Sequence, residues 1–313
     1  MRTDESILSE LVEDDPIRES LNQMMNSQKE FSEFIQLYEA KVRAKFSKAN
    51  NRDDQLDVFT EIEAAYMFMD SLGFTLEKIE YEKYREGPDF TLTLKNGLSF
   101  NAEVKRIREW DIEQGYNHFK NYLRSRLKKE NLCINLSLNL KSWPVPDRLP
   151  ALLLDDDFGE STYQHIKRRI VAVGKGQRLI FDAPDAEELS ISILHPEKED
   201  AIINVVSWGI SLWGLVPEAT KKVRNDLLTK QDQLITGCAN VLVLRTWNMY
   251  MMGDEFSGVL YEFEKDEEYA EKINKTSAVI YKGSFTDWST WENPKALVRL
   301  PDFIIDNLPK SID

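Results

Sequence analysis

The chain has 313 residues, 42% hydrophobic and 30% charged, with a formal net charge of −14, a composition that suits a globular protein with one large core or two smaller ones. No apolar run approaches the roughly 20 residues needed to cross a bilayer, and the acidic start MRTDESILSELVEDD lacks the apolar stretch of a secretory signal, so a cytoplasmic location without membrane contact is expected. Two cysteines, Cys133 and Cys238, are too few for a disulfide framework or a thiolate zinc site; both lie in apolar runs and read as reduced, buried thiols.

In chain order, residues from about Asp15 to Lys48 read as helical, since SQKEFSEFIQLYEAKVRAKF keeps helical spacing with neither Gly nor Pro. A second helix from about Asp54 to Leu72 stops at Gly73. The strand FTLEKIEY follows, then a hairpin in EGPDFTLTLKNGLSFNAEVKRIRE, with Asn96-Gly97 at its turn. On the second hairpin strand Leu98, Phe100, Ala102 and Val104 share one face, so Ser99, Asn101, Glu103 and Lys105 share the other.

Beyond the hairpin lies HFKNYLRSRLKK, residues 118–129, with five Lys or Arg and no acid. On a helix, Lys120, Arg124 and Lys128 form a basic ridge beside the apolar stripe Phe119, Leu123 and Leu127. The ridge is read either as solvated surface or as a nucleic-acid contact. The overall acidity does not exclude the second reading, because residues 1–20 supply −5 of the charge and residues 254–271 supply −7.

Strands are then expected at NLCINLSLNL, RLIFD, LSISIL, AIINVVSW, ANVLVLRTW and SAVIYKGSF, helices at about 160–173 and 217–236, and a loop or inserted subdomain from the Pro-rich KSWPVPDRLP. The class is mixed α/β or α+β. Three histidines, His118, His165 and His195, in unrelated contexts argue against a zinc hydrolase, and VGKGQR at 173–178 lacks phosphate-loop spacing and reads as a turn. Trp208, Trp213, Trp288 and Trp291 read as core or loop-packing residues before base-stacking platforms.

The order helix, strand, strand opened by Pro88-Asp89, thirteen residues, strand with Glu103-Val104-Lys105, then helix resembles the PD-(D/E)XK nuclease superfamily. The resemblance covers about residues 54–130 and extends to 217–246, where a helix followed by VLVLRT looks like the closing part of that fold. It implies a restriction-endonuclease-like core, a central mixed β-sheet flanked by helices, over 51–313 with an insertion at about 141–216 and an N-terminal helical extension at 1–50.

It also implies a metal-dependent nuclease using Mg²⁺ or Mn²⁺, acting on nucleic acid with DNA favoured, in a setting such as restriction, defence or repair. Asp89 and Glu103 would be metal ligands, with the Val104 carbonyl as a further ligand by the family pattern. Lys105, sharing a strand face with Glu103, would position the attacking water or stabilise charge on the phosphate. Many members of the superfamily add a glutamate from the preceding helix, as a ligand or to orient the nucleophile. At about 100° per residue Glu61 shares the core-facing side of Ala65, Phe68 and Leu72, whereas Glu63 falls on a more polar face with Asp70, so Glu61 is the expected one. The alternative is a catalytically inactive nuclease-fold protein that binds nucleic acid or protein, its acidic blocks and aromatics serving a partner; a homodimer is also compatible with the sequence.

Overall fold

Asn51 and Gly73 fix the helix that anchors the fold. The Asn51 side chain accepts from the backbone N–H of Asp54 at 2.9 Å, and Gly73, at φ +44°, closes the other end by donating to the Met69 carbonyl. A computed structural model describes residues 12, 14–84, 86–108, 111–132, 134–141, 148–195, 204–206, 212–247, 253–283 and 286–310. The helices are α1 (Asp15–Ser27), α2 (Lys29–Leu37), α3 (Glu39–Lys48) and α4 (Arg52–Leu72), so the expected N-terminal helical region is three helices broken at Gln28 and Tyr38. The strands β1 (Leu76–Tyr81), β2 (Phe90–Leu94) and β3 (Ser99–Ile107) follow, then α5 (Asp111–Lys129), β4 (Asn135–Leu140), α6 (Arg148–Leu153), α7 (Asp156–Ile170), β5 (Arg178–Ala183), β6 (Ala186–Leu194) and β7 (Asn204–Val206). The chain continues through α8 (Leu212–Thr229), β8 (Asn240–Thr246), α9 (Gly253–Lys265), α10 (Glu267–Lys272), β9 (Ala278–Lys282), β10 (Ser289–Glu292) and α11 (Asp302–Ile305).

The chain divides into two units, one comprising residues up to Arg108 together with Thr220 onward, the other running from Glu109 to Ala219. The second unit is wider than the expected 141–216 insertion. It takes in α5, which packs on α6 and α7, and β4, which is an inner strand of its sheet.

In the first unit six strands lie in the order β1-β2-β3-β8-β9-β10. The pairs β1/β2, β2/β3 and β9/β10 are antiparallel, and β3/β8 and β8/β9 are parallel, giving a mixed sheet flanked by helices. All seven residues of β8 are buried, which explains why it reads as a continuous apolar run. Central placement also buries both faces of β3: Phe100, Ala102 and Val104 on one, Asn101 and Glu103 on the other. β3 has neighbours on both edges, and Leu98, grouped with its apolar face, is exposed and lies outside the strand. Phe31, Phe34, Val42 and Phe46 of the N-terminal helices join Phe59, Phe68, Phe90, Phe100 and Val243 in one hydrophobic core, so this region is part of the first unit rather than an appendage.

In the second unit the sheet order is β5-β6-β4-β7. Gly115 lets α5 approach α6 closely, because a Cβ there would lie 2.7 Å from the Pro150 carbonyl oxygen. Phe119, Leu123 and Leu127 are fully buried, as the apolar stripe required. VGKGQR forms a turn with Gly176 at φ +77°.

Cys238 departs from expectation. It is a free, exposed thiol, because it sits in the turn after Gly237, at φ +82°, ahead of β8. Cys133, Trp208 and the side chain of Trp213 lie outside the described residues. Trp288 packs half-buried against the core with the Lys282 ammonium 5.4 Å from its ring centroid, and Trp291 is half-buried on β10.

Candidate active site

Antiparallel pairing of β2 and β3, with Phe90 opposite Ala102, sets Asp89 beside Glu103 on neighbouring strands. The Asp89 carboxylate accepts from the Val104 N–H at 2.8 Å, while the Asp89 amide acts on the Glu103 carboxylate. The loop before Asp89 is closed by an N–H of Glu82 donating to the Asp89 carbonyl at 2.6 Å, with Glu82 in left-handed backbone at φ +47°. From α3, Lys41 donates to the carbonyls of Tyr81, at 2.7 Å, and Glu82, at 3.2 Å. The N-terminal helices therefore brace the strand end that presents Asp89.

Glu61 reaches the same region from α4. Its carboxylate accepts from Lys45 Nζ at 2.5 Å and from the Tyr81 hydroxyl. Lys45 also meets Glu82 at 2.7 Å and lies 4.9 Å from the Tyr81 ring centroid. Burial and the Glu61 charge push the Tyr81 phenol up, so it stays a proton donor to Glu61.

Burial also pushes the Asp89 carboxyl well above its ordinary value, and the charges of Glu61 and Glu103 add to the rise against the pull of the Val104 amide and Lys45. Burial raises Glu103 as well, opposed by Lys230 and the Asp89 amide. Glu103 is 3% exposed; one oxygen is paired with Lys230 Nζ, and the other, Oε2, is buried without a hydrogen-bond partner. Lys230, just past α8, also donates to Gln233 Oε1 at 2.5 Å. Lys105 is half-buried and, among the described residues, makes no hydrogen bond or ion pair; its charge acts on Asp226 of α8. Asp226 is buried, its carboxyl is raised chiefly by burial, and its Oδ2 has no partner.

Glu61, Asp89, Glu103 and Lys105 are thus brought to one region of the first unit, and Glu63 is directed elsewhere. The face of Glu63, expected to be merely more polar, is buried against β8 and β9, where it pairs with Arg245 and Lys282, each at 3.1 Å. Lys120, Arg124 and Lys128 belong to the second unit, with Arg124 and Lys128 exposed and Lys120 donating to Asn117 at 3.1 Å. Among the described residues none of the three forms an ion pair, whereas neighbouring Arg126 pairs with Glu160.

Sequence reasoning missed Lys45, Tyr81, Asp226 and Lys230. Only Asp226 and Lys230 carried a signal, an acid followed four residues later by a lysine, with Asp226 directly before the buried Leu227.

The chain matches no protein-family model, no curated protein and no solved structure.

The donor set suits a hard divalent cation. A buried, partnerless carboxylate oxygen on Glu103, next to an Asp89 whose ionisation is opposed by neighbouring carboxylates, is a site that a cation would relieve. Among the described residues no three acidic, histidine or cysteine side chains close on one point. Glu61 and Glu103 turn instead to Lys45 and Lys230. Two carboxylates completed by substrate phosphate is the ordinary way in which Mg²⁺ is held.

Proposed function

We propose that this chain is a metal-dependent nuclease that hydrolyses phosphodiester bonds, with DNA as the favoured substrate, on a restriction-endonuclease-like core. The observation that carries the reading is the pairing of Asp89 with Glu103 across β2 and β3, with an unspent Lys105 two residues further along β3. Asp89 and Glu103 would hold Mg²⁺ or Mn²⁺, with Glu61 and the Val104 carbonyl as further donors. When bound, the cation would supply charge stabilisation at the phosphate and an activated water.

The protein groups have separate tasks. Lys105 places a positive charge where negative charge grows on the phosphate and orients the attacking water. Glu61, held by Lys45 and the Tyr81 hydroxyl, is fixed to accept a hydrogen bond from that water. The Val104 N–H keeps one Asp89 oxygen in place, and the other would be a donor to a bound cation. Lys120, Arg124 and Lys128 would contact phosphates along the strand, adding affinity but no chemistry.

A second reading has its own observation. Lys45 and Lys230 already neutralise Glu61 and Glu103, as expected if the fold persists as a binding module without catalysis. Incubating the purified chain with varied DNA and RNA in Mg²⁺, in Mn²⁺ and in excess chelator separates the two. Cleavage confined to the metal-containing reactions supports the nuclease. Undiminished cleavage in chelator overturns the metal mechanism, and no cleavage under any condition favours the binding module.

A further inference from the structure

Asp226 is a buried carboxylate with an unpartnered oxygen, and nothing in the scheme above uses it. It lies four residues before Lys230, the acid on the N-terminal side, which is the favoured order for an ion pair across one helical turn. Lys230 does not take this local partner. Its ammonium pairs with Glu103, the side chain that the nuclease reading makes a metal ligand. Glu103 thus carries a resident cation on one oxygen and an empty, buried second oxygen.

A divalent cation on that second oxygen would stand next to the Lys230 ammonium on the same carboxylate. Like charges so close repel strongly around a carboxylate as buried as that of Glu103. The ammonium must leave, and a half-buried ammonium is held best by a new counter-charge within reach of its flexible stem. Asp226 offers one: its acceptor is vacant, it is one turn away, and the Lys230 charge already acts on it.

We propose that Lys230 and Asp226 form a cation-exchange pair, in which Lys230 holds Glu103 in the metal-free protein and swings to Asp226 when a divalent cation binds. This rests on the reading of Glu103 as a metal ligand. Asp226 is then a positioning residue acting through Lys230, and Lys230 sets how strongly the site takes its metal.

The test is Mn²⁺ binding to the full chain, purified free of divalent cations and titrated calorimetrically at fixed pH. Lys230→Met should bind Mn²⁺ about tenfold tighter than wild type, within the usual 5- to 150-fold range of coupling between sites. Asp226→Asn should bind about tenfold more weakly, and Asp226→Glu should restore binding. In the Lys230→Met background Asp226→Asn should have no effect, since no ammonium needs a new partner. A further loss in that double variant would make Asp226 a direct ligand and overturn the exchange. Lys230→Met binding no tighter than wild type also overturns it. If Lys230→Met does not fold without metal, Lys230→Gln, which still donates to Glu103, carries the same expectation and the same refutation. Absence of Mn²⁺ binding in both wild type and the lysine variant overturns it too. Binding with the expected ranking but no cleavage of any nucleic acid would sink the nuclease and leave the exchange standing.

Discussion

The Asp89 side chain accepts a hydrogen bond from the backbone of Val104, on the neighbouring strand, while the amide of Asp89 acts on the side chain of Glu103. Asp89 is thereby held by the strand of Glu103, and two carboxylates are kept together in a buried place. The arrangement costs stability whenever both are ionised.

That cost has a definite pH dependence. In the folded chain the Asp89 carboxyl lies above its ordinary 3.8, so between the two values the folded state binds more protons than the unfolded. Its contribution is fully present below the unfolded value and is lost as pH rises through the folded one. Metal-free protein should therefore lose stability on this account as pH rises. Asp89→Asn should flatten the loss and raise Tm at pH 8 by roughly 2–4 °C for each kcal/mol of repulsion removed, while abolishing cleavage. Thermal melts of both proteins in chelator from pH 5 to pH 8 check this, and a parallel fall in the two curves would count against it.

The two helix glutamates should separate by phenotype. Glu63 is buried with Arg245 and Lys282, and Glu63→Gln should destabilise the fold by about 3–5 kcal/mol, as breaking a buried ion pair does. Glu61→Gln should leave folding nearly intact and lower cleavage at least about 100-fold, the scale of a lost charge-orienting group. Urea melts and single-turnover cleavage on the same preparations give both rankings.

Lys105 and the basic ridge should divide chemistry from affinity. Lys105→Ala should reduce turnover by about 10²–10³-fold with nucleic-acid binding retained. Combined Lys120→Ala, Arg124→Ala and Lys128→Ala should weaken binding and flatten its salt dependence, each lost phosphate contact removing about 0.9 from the slope on duplex DNA. Filter binding across a salt series distinguishes them; an unchanged slope returns the ridge to solvated surface.

Asn240, fully buried at the start of β8, should be intolerant of change for structural reasons. Its side-chain amide donates to the carbonyls of Ile235 at 3.0 Å, Cys238 at 2.9 Å and Lys275 at 3.0 Å. Asn240→Ala strands these carbonyls and should cost about 2–4 kcal/mol, at roughly 1–3 kcal/mol per unsatisfied buried group partly offset by water. Denaturant unfolding checks the figure.

The elements most legible in the sequence were those whose cause is local. Gly73 ends α4, Asn96-Gly97 marks the β2–β3 turn, and Val241 to Leu244 form the buried strand that their apolar run announces, while the Asn51 cap that starts α4 went unread. Glu103 and Lys105 share a strand face by simple alternation, whereas Asp89 stood out only through the Pro88-Asp89 resemblance. What depends on distant chain was not: Lys45 reaches Glu61 across 16 positions and Lys230 reaches Glu103 across 127. The burial of Glu63 was hidden for the same reason, since Arg245 lies 182 positions away and helix periodicity sees only its own turn. The short helix at Arg148–Leu153 escaped notice because it is six residues long and starts inside the Pro-rich stretch, and the acidic α9 and α10 because their apolar stripes are brief and crowded by charge.

The parallel pairing of β3 with β8 governs how the protein can be made. Asn101 and its register partner Asn240 are 139 positions apart. During synthesis at about 5–20 residues per second, one edge of β3 must wait on the order of ten seconds for its neighbour to emerge. Its backbone groups stay unpaired meanwhile, an open template for another nascent chain. Folding of residues 109–219 as a unit in that interval would shorten the effective tether between the two strands and lower the entropy of closing it. Variants that delay the second unit should therefore depress soluble yield from a ribosome more than they depress the stability of protein already folded.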